Sequence, residues 1–397
     1  MKKPSLAIIF LTVFIDLIGF GIVLPLLPAY SKRFGAEGFW IGAIIASFSV
    51  MQFLCAPAWG RLSDRIGRRP VLLISNAGSA LSYAIFAIAS HYTGNTGLFL
   101  LVLSRVFAGI AGANLSVASA YIADITPVET RSKSMGLIGM AFGLGFILGP
   151  VLGAVSASWF GLTGPGWVAT VLCTINFVLG CFILVESRRP DSTTAASRPR
   201  LDRWMQTLRR PKVGFLIGVY FLATFCFTCF ESTFSLFLLE NGHFRYTEKN
   251  VGYLFAYCGI VSAFVQGGGV GRMIKKFGEP RLIAGSLIVV SVSLALLPLS
   301  TSVSGLLFGL ALFAASSGVN RPPTFGMISI NTPQAEQGEA LGVAQSAGSL
   351  ARIIGPLFAT ASYRFRPAAP YLACAVVAFI AGCIAWQYLC REPQKPA

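Results

Sequence analysis

The sequence predicts an all-α protein that crosses a membrane many times. Hydrophobic residues make up 55% of the 397-residue chain and charged residues only 12%, about half the charged fraction of a soluble domain. Apolar runs of about 20 residues recur along the chain, which is the length of a helix that crosses the hydrocarbon core. Short alternating strands are absent, which argues against a β-barrel. The runs predict twelve spans, at 6–29, 38–59, 70–90, 97–123, 134–157, 165–185, 213–239, 249–271, 281–300, 304–328, 338–361 and 369–390.

The distribution of basic residues predicts the orientation of these spans. An even number of spans puts both termini on one side, and the segments on that side hold most of the 31 lysines and arginines. Because basic loops stay in the cytoplasm, we expect both termini inside and the protein in the cytoplasmic (inner) cell membrane. The net charge of +16 then reflects topology and contact with anionic lipids, and it requires no nucleic acid partner.

The chain is predicted to consist of two six-helix halves, residues 1–185 and 213–397, joined by a cytoplasmic linker at 186–212 that is rich in Pro, Ser, Thr and Arg. Within the linker, apolar residues recur at helical spacing between 201 and 208. This spacing predicts a short helix that lies on the inner leaflet.

The two halves repeat each other in sequence. Gly112-Ala113-Asn114, Thr126-Pro127 and Gly149-Pro150 reappear as Gly318-Val319-Asn320, Thr332-Pro333 and Gly355-Pro356, all at an offset of 206 residues. A shared offset of this kind predicts two pseudo-symmetric halves around a central axis.

A charged motif joins the second and third spans. The stretch Gly60-Arg61-Leu62-Ser63-Asp64-Arg65-Ile66-Gly67-Arg68-Arg69-Pro70 resembles the loop between helices 2 and 3 of the major facilitator superfamily, G-x-L-x-D-R-x-G-R-R. The resemblance implies the twelve-helix fold of that family. It also implies that the loop, with Asp124 and Arg131 at the inner surface, locks the inward-facing side shut. The residues of this predicted lock are Gly60, Asp64, Arg65, Gly67, Arg68, Arg69, Asp124 and Arg131. The alternative is a basic loop and helix-end charges that only fix orientation.

The fifth span carries a glycine motif, Gly136-x8-Gly145-x3-Gly149-Pro150-x2-Gly153. It resembles the fifth-helix motif of proton-coupled drug exporters, although Ala154 stands where a second glycine is usual. Small residues every four positions leave one helix face nearly bare, so another helix can approach closely. We expect this face to form the sliding seam between the halves, with ordinary helix packing as the alternative.

Two charged residues in the first half are predicted to take part in proton coupling. Asp16 and Arg105 both lie roughly 16–18 Å from the cytoplasmic end of their spans. A charge at that depth costs about 3 kcal/mol and should have a partner, so we expect the two to pair, in a proton-coupling role or as a purely structural ion pair. Arg105-x3-Gly109 also resembles the family's fourth-helix motif for proton coupling.

The second half offers Glu231 as a further proton-coupling residue. It either pairs with Arg352 across a cavity or takes up a proton itself. Several neutral amides either bind substrate or join neighbouring helices. The predicted cavity residues are Gln52, Asn114, Gln266, Asn320, Gln345 and Arg352.

The predicted function is proton-coupled export of an amphiphilic small molecule by alternating access. Phe14–Gly21 and Tyr121–Pro127 look like the first and fourth helices of tetracycline exporters, but residues 281–300 lack the acid that those exporters carry in the ninth helix. We therefore expect an amphiphile other than tetracycline.

Two other functions stay open, an uptake symporter for a small organic solute and a non-transporting membrane sensor. No set of residues for catalysis, metal binding or a cofactor is found in the sequence, so we expect no enzyme. A monomer in contact with membrane lipids and protons is expected.

Overall fold

A computed structural model describes residues 4–112, 115–187, 201–240, 246–333 and 337–390. Every regular element in these ranges is helical, as the sequence predicts. The α-helices are α1 (Leu6–Val23), α2 (Leu27–Arg33), α3 (Phe39–Ile66), α4 (Arg68–Ala89), α5 (Gly94–Ala111), α6 (Leu115–Ile125), α7 (Val128–Phe160), α8 (Gly164–Ile183), α9 (Leu201–Arg209), α10 (Pro211–Glu240), α11 (Glu248–Phe264), α12 (Val270–Phe277), α13 (Glu279–Leu296), α14 (Val303–Ile330), α15 (Gln337–Phe365) and α16 (Ala369–Cys390).

Nine stretches of the described residues are long and apolar enough to cross a membrane. One of them, Met140–Ile183, is 44 residues long and holds parts of both α7 and α8, which correspond to the predicted fifth and sixth spans. The predicted eighth and eleventh spans are not among the nine. A π-helical segment at Val265–Gly269 separates α11 from α12, and α15 carries Arg352 and Arg364 within its length.

The charged stretch after the second span is helical rather than a loop. Helix α3 continues to Ile66, and Gly67 alone separates it from α4. Gly67 has a φ of 101°, a conformation that glycine adopts without a steric penalty. In the second half Gly278, with a φ of 79°, separates α12 from α13 in the same way. The sequence correctly predicts the reversal but places its start too early.

The chain divides into two compact units. The first contains residues 1–195, 238–241 and 245–256, and the second contains residues 196–237, 242–244 and 257–397. In the first unit α1 packs against α7 and α8, and α4 packs against α5 and α8. In the second unit α13 packs against α14 and α16.

Each unit has its own apolar core. The core of the first unit includes Ile9, Val71 and Tyr121, and that of the second includes Leu216, Leu287 and Ala344. The short linker helix predicted from its periodicity is α9, on which Met205 is 54% and Leu208 43% exposed. These exposed apolar side chains fit the predicted contact with a leaflet.

Candidate functional site

An ion pair joins the start of α4 to the end of α6. Arg68 Nε donates to Asp124 Oδ2 at 3.2 Å, and Arg68 Nη1 donates to Ser63 Oγ at 2.6 Å. Ser187 Oγ donates to the same Asp124 oxygen at 2.9 Å. Four separate segments of the first unit therefore meet at one charged cluster, which we call the Arg68 cluster: Ser63, Arg68, Asp124, Glu186 and Ser187.

Glu186 is the member of the Arg68 cluster that the sequence reasoning missed. Its carboxylate accepts the backbone N–H of Arg68 at 2.8 Å and of Arg69 at 3.1 Å. The first turn of α4 has no acidic residue of its own, so Glu186 supplies the negative charge that a helix N-terminus favours. The available signal was an acid placed directly after the sixth apolar run.

The remaining predicted lock residues are placed as follows. Arg69 Nη2 donates to the carbonyl of Cys181 at 2.7 Å, which ties α4 to α8. Gly60 lies within α3, and the side chain of Arg65 is exposed near its end. The side chains of Asp64 and Arg131 lie outside the part of the chain that the structure describes.

Arg105 is completely buried in the first unit. Its guanidinium carbon lies 5.8 Å from the ring centre of Tyr83 and 5.5 Å from that of Phe86. Nε reaches Ser104 Oγ at 3.4 Å, while Nη2 has no hydrogen-bond partner among the described residues. Stacking on two aromatic rings offsets part of the cost of burying this charge.

Asp16 lies half-buried on α1, and Tyr83 stands within electrostatic reach of both Asp16 and Arg105. Cys173 of α8 also interacts with Asp16. Tyr83 and Cys173 pack on Gly19, one helical turn beyond Asp16, where an added Cβ would lie 2.9 Å from Tyr83 Cε2 and 3.1 Å from Cys173 Sγ. Tyr83 was not selected from the sequence, because a single tyrosine in an apolar run is usually a core residue. The pairing of Asp16 with Arg105 stays a prediction.

The glycine face of α7 packs on α1. A Cβ added to Gly149 would lie 2.6 Å from Cα of Gly21, and one added to Gly153 would lie 2.8 Å from the carbonyl oxygen of Ile22. A Cβ added to Gly145 would lie 3.0 Å from Cβ of Leu17. Both helices belong to the first unit, so these contacts match the ordinary helix packing that the sequence left open, and the seam between the halves stays a prediction.

Close contacts of small residues also occur beyond the α1–α7 pair. The carbonyl of Pro150 lies beside Gly252 of α11, a residue that clusters with the first unit. The side-chain position of Gly136 falls outside the described part. In the second unit Gly355 of α15 packs on Thr228 of α10, so the same kind of small-residue contact recurs there.

Glu231 and Arg352 lie within electrostatic reach of each other in the second unit. Both residues are described, and they form no ion pair at 4 Å or less. The two alternatives for Glu231, pairing with Arg352 or proton uptake, both stay predictions.

Two of the predicted cavity amides join neighbouring helices. Gln52 Nε2 donates to the carbonyl of Gly112 at 2.8 Å, and Asn320 Nδ2 donates to Ser286 Oγ at 2.8 Å. Gln266 lies in the π-helical segment beside Gly318, and Asn114 lies outside the described residues. These contacts match the interhelical alternative that the sequence left open for each amide.

Gln345 has a different environment. Its Oε1 accepts the hydroxyl of Tyr220 at 3.3 Å and Nη2 of Arg321 at 3.5 Å. The structure directs the Arg321 guanidinium toward α15, over the ring of Phe325 at 5.3 Å.

Comparison with known proteins agrees with this architecture. The family model described as Major Facilitator Superfamily matches residues 9–356 and 221–397. The tetracycline resistance protein of class C from Escherichia coli is 34% identical over 371 residues, which is 91% of each chain.

Two solved structures share the fold. The crystal structure of the human organic anion transporter MFSD10 (TETRAN) matches with a TM-score of 0.71 at 26% identity, covering 97% of this chain and all of that one. A structure of the nucleoside transporter NupG matches with a TM-score of 0.74 at 13% identity, covering 97% and 99%. At that identity the second likeness concerns the fold alone.

Proposed function

Since the chain belongs to the Major Facilitator Superfamily, we propose that it exports amphiphilic small molecules in exchange for protons by alternating access. The chain is a membrane transporter and not an enzyme. Tetracycline resistance proteins cover nine-tenths of its length, which supports export as the direction. The likeness to an organic anion transporter supports an amphiphile as the substrate.

The observation that carries the proposal is the group around Arg105 and Asp16. A charge inside a bilayer costs about 3 kcal/mol on insertion scales. A fully buried arginine whose Nη2 has no partner in the part of the chain that the structure describes therefore indicates function. Asp16, which is half-buried and, like Arg105, within electrostatic reach of Tyr83, is the group that takes up the proton. Each proton that enters releases about 2.3 kcal/mol per 100 mV of membrane potential.

The Arg68 cluster serves as the lock on the cytoplasmic side. It holds the ends of α3, α4 and α6 together with the segment after α8 through one ion pair and several hydrogen bonds. Such a cluster favours one access state without touching the substrate. This proposal places both termini in the cytoplasm, in accordance with the basic segments, and the protein in the inner membrane as a monomer surrounded by lipid.

The test is transport in proteoliposomes loaded with a fluorescent amphiphile. Wild type is expected to move the probe against its gradient when protons flow the opposite way, and Asp16→Asn is expected to abolish that movement. Glu37→Gln, which also turns an acid into an amide but on an exposed segment, serves as the control.

Other results of this experiment would change the coupling residue, the direction of transport or the dependence on protons. Proton-driven exchange that survives in Asp16→Asn and is lost in Glu231→Gln assigns coupling to Glu231. Accumulation of probe on the side that protons enter overturns export in favour of uptake. An unchanged rate with and without a proton gradient contradicts proton coupling.

A further inference from the structure

Arg321 lies at the centre of a polar group inside the second unit, to which three helices contribute. Arg321 and Phe325 come from α14, Gln345 comes from α15 and Tyr220 comes from α10. The Gln345 amide oxygen accepts from both Tyr220 and Arg321, and the Tyr220 ring meets the Phe325 ring edge-on with centroids 4.9 Å apart. We call these four residues the Arg321 site.

The members of the Arg321 site lie at one level of the helix bundle. Arg321 is nine residues before the end of α14, Gln345 is eight after the start of α15, and Tyr220 is nine after the start of α10. At 1.5 Å per residue these positions are all roughly 12–14 Å from the helix ends. Tyr220 is buried, whereas Arg321 is partly accessible.

Most N–H groups of the Arg321 guanidinium donate no hydrogen bond to the described residues. Of its five N–H groups, one reaches a neutral oxygen at the long distance of 3.5 Å. Among the described residues no carboxylate forms an ion pair with it. The carboxylate of Glu279 on α13 also forms no ion pair with Arg321. It lies against Gly326 of α14, where an added Cβ would be 2.9 Å from Glu279 Oε1.

Charge in the middle of the second unit is also unbalanced. Away from the helix ends, its described helices carry two arginines, Arg321 and Arg352, and one acid, Glu231. Glu231 lies within electrostatic reach of Arg352, and it forms no ion pair with Arg321. A charge kept in such a position without an ion-pair partner among the described residues indicates a ligand of opposite charge.

We propose that the Arg321 site binds the carboxylate or sulfonate of an aromatic organic anion, and that this anion is the transported substrate. Arginine presents a planar pair of N–H groups that matches a carboxylate with two parallel hydrogen bonds. The half-buried ring of Phe325 offers a surface against which the apolar body of the anion packs, and the buried Tyr220 ring supports it edge-on. Gln345 holds the guanidinium in place without neutralising it. Only the statement that this anion is the transported substrate rests on the proposed transport function, because binding of the anion is measured separately from transport.

The experiment compares two probes with the same ring system. Fluorescein carries a free carboxylate, whereas rhodamine 6G carries an ester at that place and a positive charge. Binding to purified protein in phosphatidylcholine nanodiscs is followed by fluorescence anisotropy. Wild type is expected to bind fluorescein at least tenfold more tightly than rhodamine 6G, and Arg321→Gln is expected to remove that tenfold preference, about 1.4 kcal/mol. Arg281→Gln makes the same chemical change at an exposed position and should alter neither affinity.

A second variant keeps the test decisive if Arg321→Gln does not fold. Gln345→Glu has nearly the same shape and places a carboxylate beside Arg321, so it should weaken fluorescein binding as strongly and leave rhodamine 6G bound. Arg321→Lys, which retains charge but not the paired donors, should fall between wild type and Arg321→Gln.

Several results would overturn the proposal. The first is equal affinity of wild type for both probes, and the second is unchanged fluorescein binding in Arg321→Gln or Gln345→Glu. The third is loss of fluorescein binding in phosphatidylglycerol nanodiscs, which would assign the site to a lipid headgroup.

Transport is then tested with the same probes. Proton-driven movement of rhodamine 6G by an Arg321→Gln variant that no longer binds fluorescein supports both proposals. Fluorescein binding without movement of either probe contradicts the transport proposal and leaves the binding site standing.

Discussion

The carboxylate of Glu186 lies against the N-terminus of α4 and accepts the backbone N–H of Arg68 at 2.8 Å. The same arginine uses its side chain to hold Asp124, so Arg68 takes part in the cluster through both its backbone and its guanidinium. A Cβ on Gly67 would lie 2.9 Å from Cδ of Glu186, which shows how closely the carboxylate approaches this turn. The turn and the charge cluster are therefore one structural unit.

Replacing Glu186 removes the acceptor for two N–H groups at the start of α4. We expect Glu186→Ala to lower the free energy of unfolding by about 1–2 kcal/mol, the cost of losing a helix cap, and to slow transport. Glu186→Gln keeps one carbonyl oxygen and should lose less. Thermal unfolding in detergent, followed by circular dichroism, measures the difference. Identical transition temperatures for all three proteins would contradict the capping role.

Breaking the Arg68–Asp124 ion pair should affect transport more than stability. The pair is partly open to solvent, and such pairs contribute about 0.2–1 kcal/mol. We expect a double-mutant cycle of Arg68→Gln and Asp124→Asn to give a coupling in that range, together with a large loss of transport rate in each single variant. A coupling well above this range, or unchanged transport, would count against a lock.

The contact between Gly149 and Gly21 leaves no space for a side chain. We expect Gly149→Ala to destabilise the protein by about 1–3 kcal/mol, because the new methyl group forces α1 and α7 apart. Gly143→Ala lies on the same helix, where an added Cβ has no atom within 4 Å, and it should be tolerated. Unfolding temperature and transport are measured for both. Equal behaviour of the two variants would show that the close approach is unimportant.

Tyr83 lies within electrostatic reach of both Asp16, the proposed proton-binding residue, and Arg105, so its hydroxyl is expected to matter for coupling. Tyr83→Phe keeps the ring against Gly19 and Arg105 and should fold normally. We expect proton-driven export to fall several-fold and its dependence on pH to change, since Asp16 and Arg105 lose a polar group that lies within electrostatic reach of both. Tyr92→Phe, at an exposed tyrosine, is the control. A wild-type pH profile in Tyr83→Phe would reduce Tyr83 to a packing residue.

Much of the architecture followed from local patterns in the chain. Long apolar runs predicted the helices, and the basic and glycine-rich motif before Pro70 predicted the reversal at Gly67. The motif could not show that α3 continues to Ile66, because a helix and a loop are equally compatible with Gly60-Arg61. The sequence likewise shows no interruption in the predicted eighth span, whereas the structure contains a π-helical segment around Gln266.

The sequence by itself determined that this is a helical membrane protein of two related halves, and which polar residues lie inside its spans. Both depend on composition and spacing along the chain. Only the tertiary structure decided which of these residues meet. Glu186 and Arg68 are 118 positions apart, Tyr83 reaches Asp16 and Arg105 from a third helix, and the glycine face of α7 packs on α1. Such contacts depend on which helix faces pack together, and the hydrophobic periodicity of helices with apolar residues on every side leaves that choice open.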